Sequence, residues 1–191
     1  NISKIIKSFL ESLGIILTDN QFAQIDSLGV AMLEDPLYKS VSKISDTNEI
    51  AIKHFLDCLI PFSLDIPFEK SKTIIDLGTG GGFPLVPLAI LFPQCSFHGI
   101  DGIGKKIMAV KGVIEGLGLS NCTAEQVRSE DHKGRYDVIV SRAVTTLPEF
   151  LRMTKHLVPK GEGHLYYLKG GELADELLPV KQRYRVFELS K

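Results

Sequence analysis

The chain has no apolar run long enough to cross a bilayer: its longest, Pro84 to Phe92, falls well short of the roughly 20 residues a spanning helix needs. No basic-then-apolar segment opens it, so a secretory leader is not expected. Cysteine is scarce. Cys58, Cys95 and Cys122 are odd in number and widely spaced, which suits neither a disulfide framework nor a zinc site. Reduced thiols in a cytoplasmic protein, with no metal, are the expectation. An excess of either charge is also lacking, with 22 Lys and Arg against 23 Asp and Glu. A nucleic-acid partner would therefore have to meet a local basic face rather than a basic protein. There is no tryptophan, no internal repeat and no low-complexity tract. What is there is ordinary for one globular domain: 191 residues, 44% hydrophobic and 24% charged.

Glycine, by contrast, is concentrated in one place. Thr73 to Pro84 reads Thr-Ile-Ile-Asp-Leu-Gly-Thr-Gly-Gly-Gly-Phe-Pro, with Gly78, Gly80, Gly81 and Gly82 in quick succession. The β-branched run before the glycines and the proline after them predict strand, tight turn, helix, with Pro84 at the first helical position. In an α/β sheet such a turn is the usual nucleotide site. A dinucleotide fingerprint would need a third glycine where Phe83 stands, and Asp76 is a poor neighbour for a pyrophosphate. No Gly-Lys-Ser/Thr follows, which excludes a Walker loop. The acidic-x-Gly-x-Gly-x-Gly order instead resembles motif I of the class I S-adenosylmethionine (SAM) methyltransferases. That cofactor carries a cationic sulfonium and no phosphate, so a nearby acid is favourable.

Three helices are expected ahead of this turn. Ser3 to Leu13 carries Ile5, Ile6, Phe9, Leu10 and Leu13 at helical spacing and stops at Gly14. Thr18 with Gln21 is a capping box for the second, which buries Phe22, Ile25, Leu28, Met32 and Leu33. Asp35 to Ser45, broken by Pro36, reads as a loop. Asp46 and Glu49 open a third helix, running to about Ile60 with Ile52, Phe55, Leu56 and Leu59 on its apolar face. Residues 1–60 thus form a helical cap, and 73–191 an α/β core of the same single domain. After the turn, a helix over Pro84–Leu91 precedes a strand over Ser96–Ile100. An amphipathic helix over Lys105–Leu117 follows, its stripe including Ile107 and Met108, and ends at Gly118. Further strands are expected at Cys122–Val127, Tyr136–Val140, His164–Leu168 and Tyr184–Leu189, with helices from Thr146 and over Glu172–Leu178. The alternation implies a doubly wound, mostly parallel sheet. The methyltransferase version adds a seventh, antiparallel strand, and the chain stops before one.

In open α/β sheets ligands lie beyond the carboxyl ends of the strands. Asp101 ends the second strand, 21 residues after Gly80, where a carboxylate accepts ribose hydroxyls. It could equally cap the following helix. Ser129 and Glu130 follow the third strand, where methyltransferases commonly hold the adenine; a solvated loop is the alternative. Ser141-Arg142-Ala143 follows the fourth and Lys169-Gly170-Gly171 the fifth. Cations at two adjacent strand ends suit an anionic second substrate, unless each is a surface ion pair. The end of the fourth strand also excludes reactions. It lacks the Asn/Asp-Pro-Pro-aromatic sequence of exocyclic-amine methylation, and no cysteine is placed for attack on cytosine C5. An acceptor atom with a free lone pair remains.

Together these segments resemble the bacterial small-subunit ribosomal RNA guanine-N7 methyltransferases, the RsmG or GidB family. The resemblance rests on Asp76-Leu-Gly-Thr-Gly-Gly-Gly-Phe-Pro, Asp101 with Gly104-Lys105-Lys106, Gln126 with Arg128, Tyr136-Asp137 with Ser141-Arg142-Ala143, Leu168-Lys169-Gly170, and His54 with Asp57. It runs from about Asp19 to the end. Departures are the absent tryptophan, Ser40-Val41-Ser42 in place of the usual Asn-hydrophobic-Thr, and Gly102 for serine. The resemblance implies a SAM-dependent enzyme acting on one guanine of 16S rRNA, with naked rRNA or a 30S-type particle as partner, no membrane, and a monomeric state. By position, Gly78, Phe83, Ser129, Glu130 and Arg142 would line the SAM site, joined by Asp76, Gly80 and Asp101. His54, Lys105, Lys106, Arg128, Arg142 and Lys169 would meet RNA. Guanine N7 has no proton to lose, so no catalytic base is expected, and catalysis should come from alignment, with Arg142 and Lys169 as positioning candidates. A small-molecule methyltransferase and a non-catalytic RNA-binding module on the same fold are the competing readings.

Overall fold

The computed structural model describes residues 1–12, 14–40, 46–59, 72–142, 144–159 and 163–187. Five parallel strands form the sheet: β1 (Thr73–Leu77), β2 (Ser96–Asp101), β3 (Cys122–Gln126), β4 (Val138–Arg142) and β5 (His164–Leu168), in the order β3-β2-β1-β4-β5. The order reverses between β1 and β4, so the cleft beyond their carboxyl ends is the topological switch point where such sheets bind ligands.

Alternation along the strands divides the core. Ile74, Phe97, Cys122, Ala124, Val138 and Val140 face α5 (Leu85–Leu91) and α6 (Gly104–Gly116) within the larger apolar cluster. Ile75, Leu77, Ile100 and Ile139 face the opposite way, onto Phe150 of α7 (Leu147–Thr154) and Leu157. The apolar residues of the N-terminal helices join the first cluster. They are α1 (Ile2–Ser12), α2 (Asp19–Glu34), α3 (Pro36–Lys39) and α4 (Thr47–Glu49). Polar bonds register α2 on the core: Gln21 Nε2 donates to the Ile90 carbonyl (2.8 Å) and Gln24 Nε2 to that of Leu117 (3.0 Å). Among the described residues, no helix is long and apolar enough to cross a membrane.

The caps explain several boundaries. Thr18 and Gln21 form the expected reciprocal box. Gly14 closes α1 at φ +74°, with Gly14 N–H donating to Glu11 and Ile15 N–H to Leu10. Ile2, rather than Ile5, is the buried apolar residue of its first turn.

Four expectations need correction. The segment after Asp35 is not all loop. Asp35 accepts from Tyr38 N–H (2.8 Å) and Pro36 sits in the first turn of α3, so proline starts a helix here instead of breaking one. The third helix begins as expected, with Asp46 accepting from Asn48 and Glu49 N–H, but continues as a π-helical segment, Ile50–Leu56. Its wider turn shifts the phase: Ile50, Ala51, Phe55, Cys58 and Leu59 are buried, and Ile52 is exposed. The strand expected at Tyr136–Val140 begins two residues later and runs through Arg142, so Ser141 and Arg142 are strand rather than loop. Ser141 is fully buried and donates to the Leu77 carbonyl (2.7 Å), which locks β4 against β1 at the switch point. Finally, Tyr184–Phe187 form no strand, and Tyr184, Val186 and Phe187 are about half exposed; the rest of that expected element lies outside the described residues. The end of the third helix near Ile60 and the loop that joins it to the core also fall mostly outside them.

A candidate cofactor site at the switch point

The glycine turn is built by backbone that few other residues could follow. Gly78, Gly80 and Gly82 lie at φ +68°, +58° and +88°. Pro84 is the N-cap of α5, one position earlier than expected. Two carboxylates hold the turn. Asp101 Oδ2 accepts from Gly80 N–H (3.1 Å), and its Oδ1 from Ile103 N–H (2.9 Å), where α6 begins. The ends of β1 and β2 are thereby tied together by the residue expected to meet a ribose. Lys106 Nζ lies 3.7 Å from the same Asp101 Oδ2.

Asp76 is fully buried beneath the turn, and its Oδ2 accepts from Leu85 N–H (3.3 Å) at the start of α5. It braces the helix instead of lining the mouth, as the sequence suggested. Burial pushes its carboxyl up to about 7, against the nearby Thr79 hydroxyl, the Leu85 N–H and the Arg142 charge, which pull it down. Asp76 Oδ1 and Thr79 Oγ1 are buried without hydrogen bonds.

Sequence reasoning missed Tyr38, because it lies in a segment read as loop. Its ring is buried and its hydroxyl donates to the Gly81 carbonyl, so the N-terminal helices hold the turn from below. A Cβ at Gly81 would come within 2.9 Å of that hydroxyl. Burial raises the phenol well above its ordinary value, so it stays protonated and keeps donating. Tyr38→Phe is expected to destabilise the fold by about 1 kcal/mol, the net worth of one such bond, and to weaken cofactor binding through the loosened turn. Denaturant unfolding and calorimetry on the variant measure the two effects.

The remaining expected residues divide into two groups. Phe83, His54 and Arg142, far apart in sequence, come together. His54 meets the Phe83 ring edge-on at 5.0 Å between centroids, and Phe55 meets it at 5.7 Å. The Arg142 guanidinium lies 5.9 Å from the Phe83 centroid and within 3.2 Å of His54 Nδ1 and 3.6 Å of Cys58 Sγ. Burial pushes the Cys58 thiol up to about 12, so it is a neutral packing partner. On the other side of the cleft, Ser129 is buried and its hydroxyl donates to Glu130 (3.0 Å), while the Ser129 carbonyl is met by His156 Nε2 (2.9 Å). The Glu130 carboxyl is held below its usual range by its own N–H and by Ser129.

The cations expected on the RNA side are not equally available. Lys105, in the first turn of α6, and Arg128, two residues past β3, are exposed. Lys106 faces Asp101, and Arg142 turns toward His54. Lys169 pairs with Glu176 of α8 (Ala174–Leu177) and donates to the Thr145 carbonyl (3.1 Å). Glu176 also accepts from Leu147 N–H (2.7 Å), so Lys169 belongs to a clasp between β5, α7 and α8 instead of standing open for phosphate.

With the glycine turn, Asp101 and the Phe83–Arg142–His54 cluster in place, comparison with known proteins decides the family. Residues 39–190 match the GidB family, rRNA small subunit methyltransferase G. The chain belongs to this family. A ribosomal RNA small subunit methyltransferase G from Christiangramia forsetii is 41% identical over 179 residues, which is 91% of this chain and 84% of that protein. The protein of the same name from Flavobacterium johnsoniae is 42% identical over 186 residues, 91% of this chain and 86% of its own length. Among solved structures, coclaurine N-methyltransferase bound to N-methylheliamine and SAH matches 87% of this chain and 57% of its own at 13% identity and TM-score 0.52. That likeness is one of fold: the class I methyltransferase sheet, as the glycine motif implied. GidB-family membership makes the chain a methyltransferase.

Proposed function

We propose that this chain transfers a methyl group from SAM to N7 of a guanine in 16S rRNA. The observation that carries the reading is the GidB-family match along residues 39–190, which includes both the glycine turn and the whole strand set around the cleft. Bound SAM supplies an electrophilic methyl on a positively charged sulfur. The site suits it: among the described residues outside its chain neighbours, a Cβ on Gly80 would meet nothing nearer than the Gly78 carbonyl at 3.8 Å, so the turn is open at that position, and a buried carboxylate with an unused oxygen lies beneath.

In this reading Gly78 and Gly80 admit the amino acid end of the cofactor, Asp101 accepts from the ribose, and Ser129 and Glu130 flank the adenine. Asp76 acts from below as a counter-charge. Phe83 walls the cleft where Arg142 and His54 meet it, and these two orient the guanine. N7 carries an in-plane lone pair and no proton, so alignment suffices and no general base is needed. Lys105 and Arg128 hold phosphate, with Lys106 contributing once Asp101 turns to the ribose. Lys169 acts indirectly by holding the β5–α7 corner. On the same reading the protein acts as a monomer in the cytoplasm, where its rRNA substrate would be.

The direct test is incorporation of labelled methyl into 30S particles and into naked 16S rRNA from cells lacking this modification, followed by mapping of the base. Methylation at one guanine N7 is expected. Robust SAM binding without transfer to either RNA would overturn the substrate.

Asp76 adds a pH dependence with a definite sign. A carboxyl whose folded pKa is raised binds more protons folded than unfolded, so stability falls as pH rises from the unfolded value near 4 through about 7. A cationic ligand above it reverses the preference by favouring the carboxylate. SAM affinity should therefore rise between pH 6 and 8, and Asp76→Asn should flatten that rise. Calorimetry across the range checks it; a slope retained in the variant places the titrating group elsewhere.

A further inference from the structure

Away from the switch point, three side chains from separate segments converge on the sheet face opposite α5 and α6. His98 lies on β2, Glu125 on β3 and His132 in the loop after Ser129–Glu130. His98 Nε2 is 3.4 Å from Glu125 Oε2, and His132 Nδ1 is 3.6 Å from the same oxygen. All three candidate ligand atoms fall within 4.8 Å of one another. Zinc bonds of about 2.0–2.1 Å at tetrahedral angles place neighbouring ligand atoms about 3.3 Å apart. The two short separations match that spacing.

The protonation pattern strengthens the case. Thr123 Oγ1 lies 2.8 Å from His98 Nδ1 and donates its own hydrogen to the Phe97 carbonyl (3.4 Å). In the tautomer in which the hydroxyl accepts from His98 Nδ1–H, Nε2 keeps its lone pair; in the other, Nε2–H points at Glu125. That Nε2 is buried and makes no hydrogen bond, and what faces it is a carboxylate oxygen, itself an acceptor. With the proton on Nδ1, Nε2 turns its lone pair toward the carboxylate, a pairing that either a metal ion or a second ring proton relieves. On the other ring, His132 Nε2 lies 2.8 Å from the Tyr136 hydroxyl, so Nε2–H can donate there and leave Nδ1 to ligate. Each imidazole thus has a hydroxyl on its far nitrogen, the outer-shell arrangement that orients metal-binding histidines. The His side chains are 20% and 12% exposed and Glu125 53%, which leaves one side open for a water as fourth ligand.

We propose that His98 Nε2, Glu125 Oε2 and His132 Nδ1 bind a first-row divalent metal ion of the zinc type. Imidazole nitrogen with one carboxylate suits zinc over magnesium or calcium, which prefer all-oxygen shells. The ion would staple the loop after β3 to the sheet. That loop carries Ser129 and Glu130, and His156 Nε2 further ties the Ser129 carbonyl to that of His132. Sequence spacing hid the site, because the three ligands come from three segments and no local ligand motif exists.

The test uses the untagged full chain, stripped with chelator and titrated with zinc. Elemental analysis after desalting should find about one zinc per chain, and thermal unfolding should shift upward with added zinc. Cobalt substituted for zinc should give the visible absorption of a low-coordinate site. Outer-shell partners alone are worth about 10–100-fold in metal affinity, so Tyr136→Phe should weaken binding within that range. Glu125→Gln and His132→Asn should weaken it by at least as much, and each should retain its circular dichroism without metal. No stoichiometric uptake by the wild type would overturn the site and leave a His–Glu ion pair. Uptake unchanged in both ligand variants would overturn it equally, by placing the metal elsewhere.

Discussion

Replacing Gly80 by valine is expected to abolish SAM binding while the chain stays folded. At φ +58° a side chain costs roughly 1–2 kcal/mol of backbone strain, which an ordinary domain tolerates. Among the described residues outside its chain neighbours, the nearest atom to the new Cβ is the Gly78 carbonyl at 3.8 Å, an ordinary van der Waals distance. In the proposed reading, the space that valine fills is the space the cofactor's amino acid end requires. Neighbouring glycines would make poorer tests. A Cβ at Gly78 comes within 2.6 Å of Val144 Cγ2, and one at Gly99 within 2.4 Å of Leu85 Cδ2, so those substitutions disturb the protein before any ligand arrives. Calorimetry should register no SAM heat for Gly80→Val, an intermediate affinity for Gly80→Ala, and native circular dichroism for both. A folded valine variant that binds as tightly as the wild type would remove the glycine turn from the site.

The second large effect concerns Asp101. Asp101→Ala deletes the acceptor of Gly80 and Ile103 N–H and the counter-charge of Lys106. Hydrogen bonds to charged groups are worth about 1.5–3 kcal/mol. SAM affinity should fall by about 10–150-fold, at 1.4 kcal/mol per factor of ten. Bracing and ribose recognition both contribute, and a cofactor analogue without ribose hydroxyls separates them. If the carboxylate accepts from the ribose, the analogue loses affinity for the wild type and little more for the variant, a coupling that a double-mutant cycle quantifies. Additive losses would leave Asp101 as a brace between β2 and α6.

Much of the fold was legible because it is written locally. The β-branched run before Gly78, the Thr18–Gln21 capping box, the Gly14 and Gly118 stops and the strand–helix alternation each act through contacts within a few residues. The misreadings share a different cause. Pro36 looks like a breaker until Asp35 is seen to cap the turn it begins. Ile52 belongs to an α-helical stripe but a π-helical turn rotates it outward, and Met108, counted in the apolar stripe of α6, is 63% exposed. Thr146 precedes α7 without capping it through its side chain, while Thr145 bonds Glu149 instead.

The candidate site shows the same division. Backbone demands are local, so the glycine turn and the carboxylate 21 residues beyond Gly80 declare themselves in the sequence. Family membership was readable too, since it rests on motifs in linear order. Charge availability was not, because a lysine's partner is chosen by tertiary proximity. Lys169 reads as an open cation until α8 brings Glu176 to it, and that Arg142 and His54 act side by side is not visible until the π-helical segment brings them together. Tyr38 beneath Gly81 and the His98–Glu125–His132 cluster exist only once distant segments pack. Sequence by itself determined most of the elements, the parallel sheet and the glycine turn, since propensity, capping and glycine freedom act over a few residues. Tertiary structure alone decided which polar groups are buried, which are paired and which face a ligand, because desolvation and Coulomb attraction depend on distance in space and not along the chain.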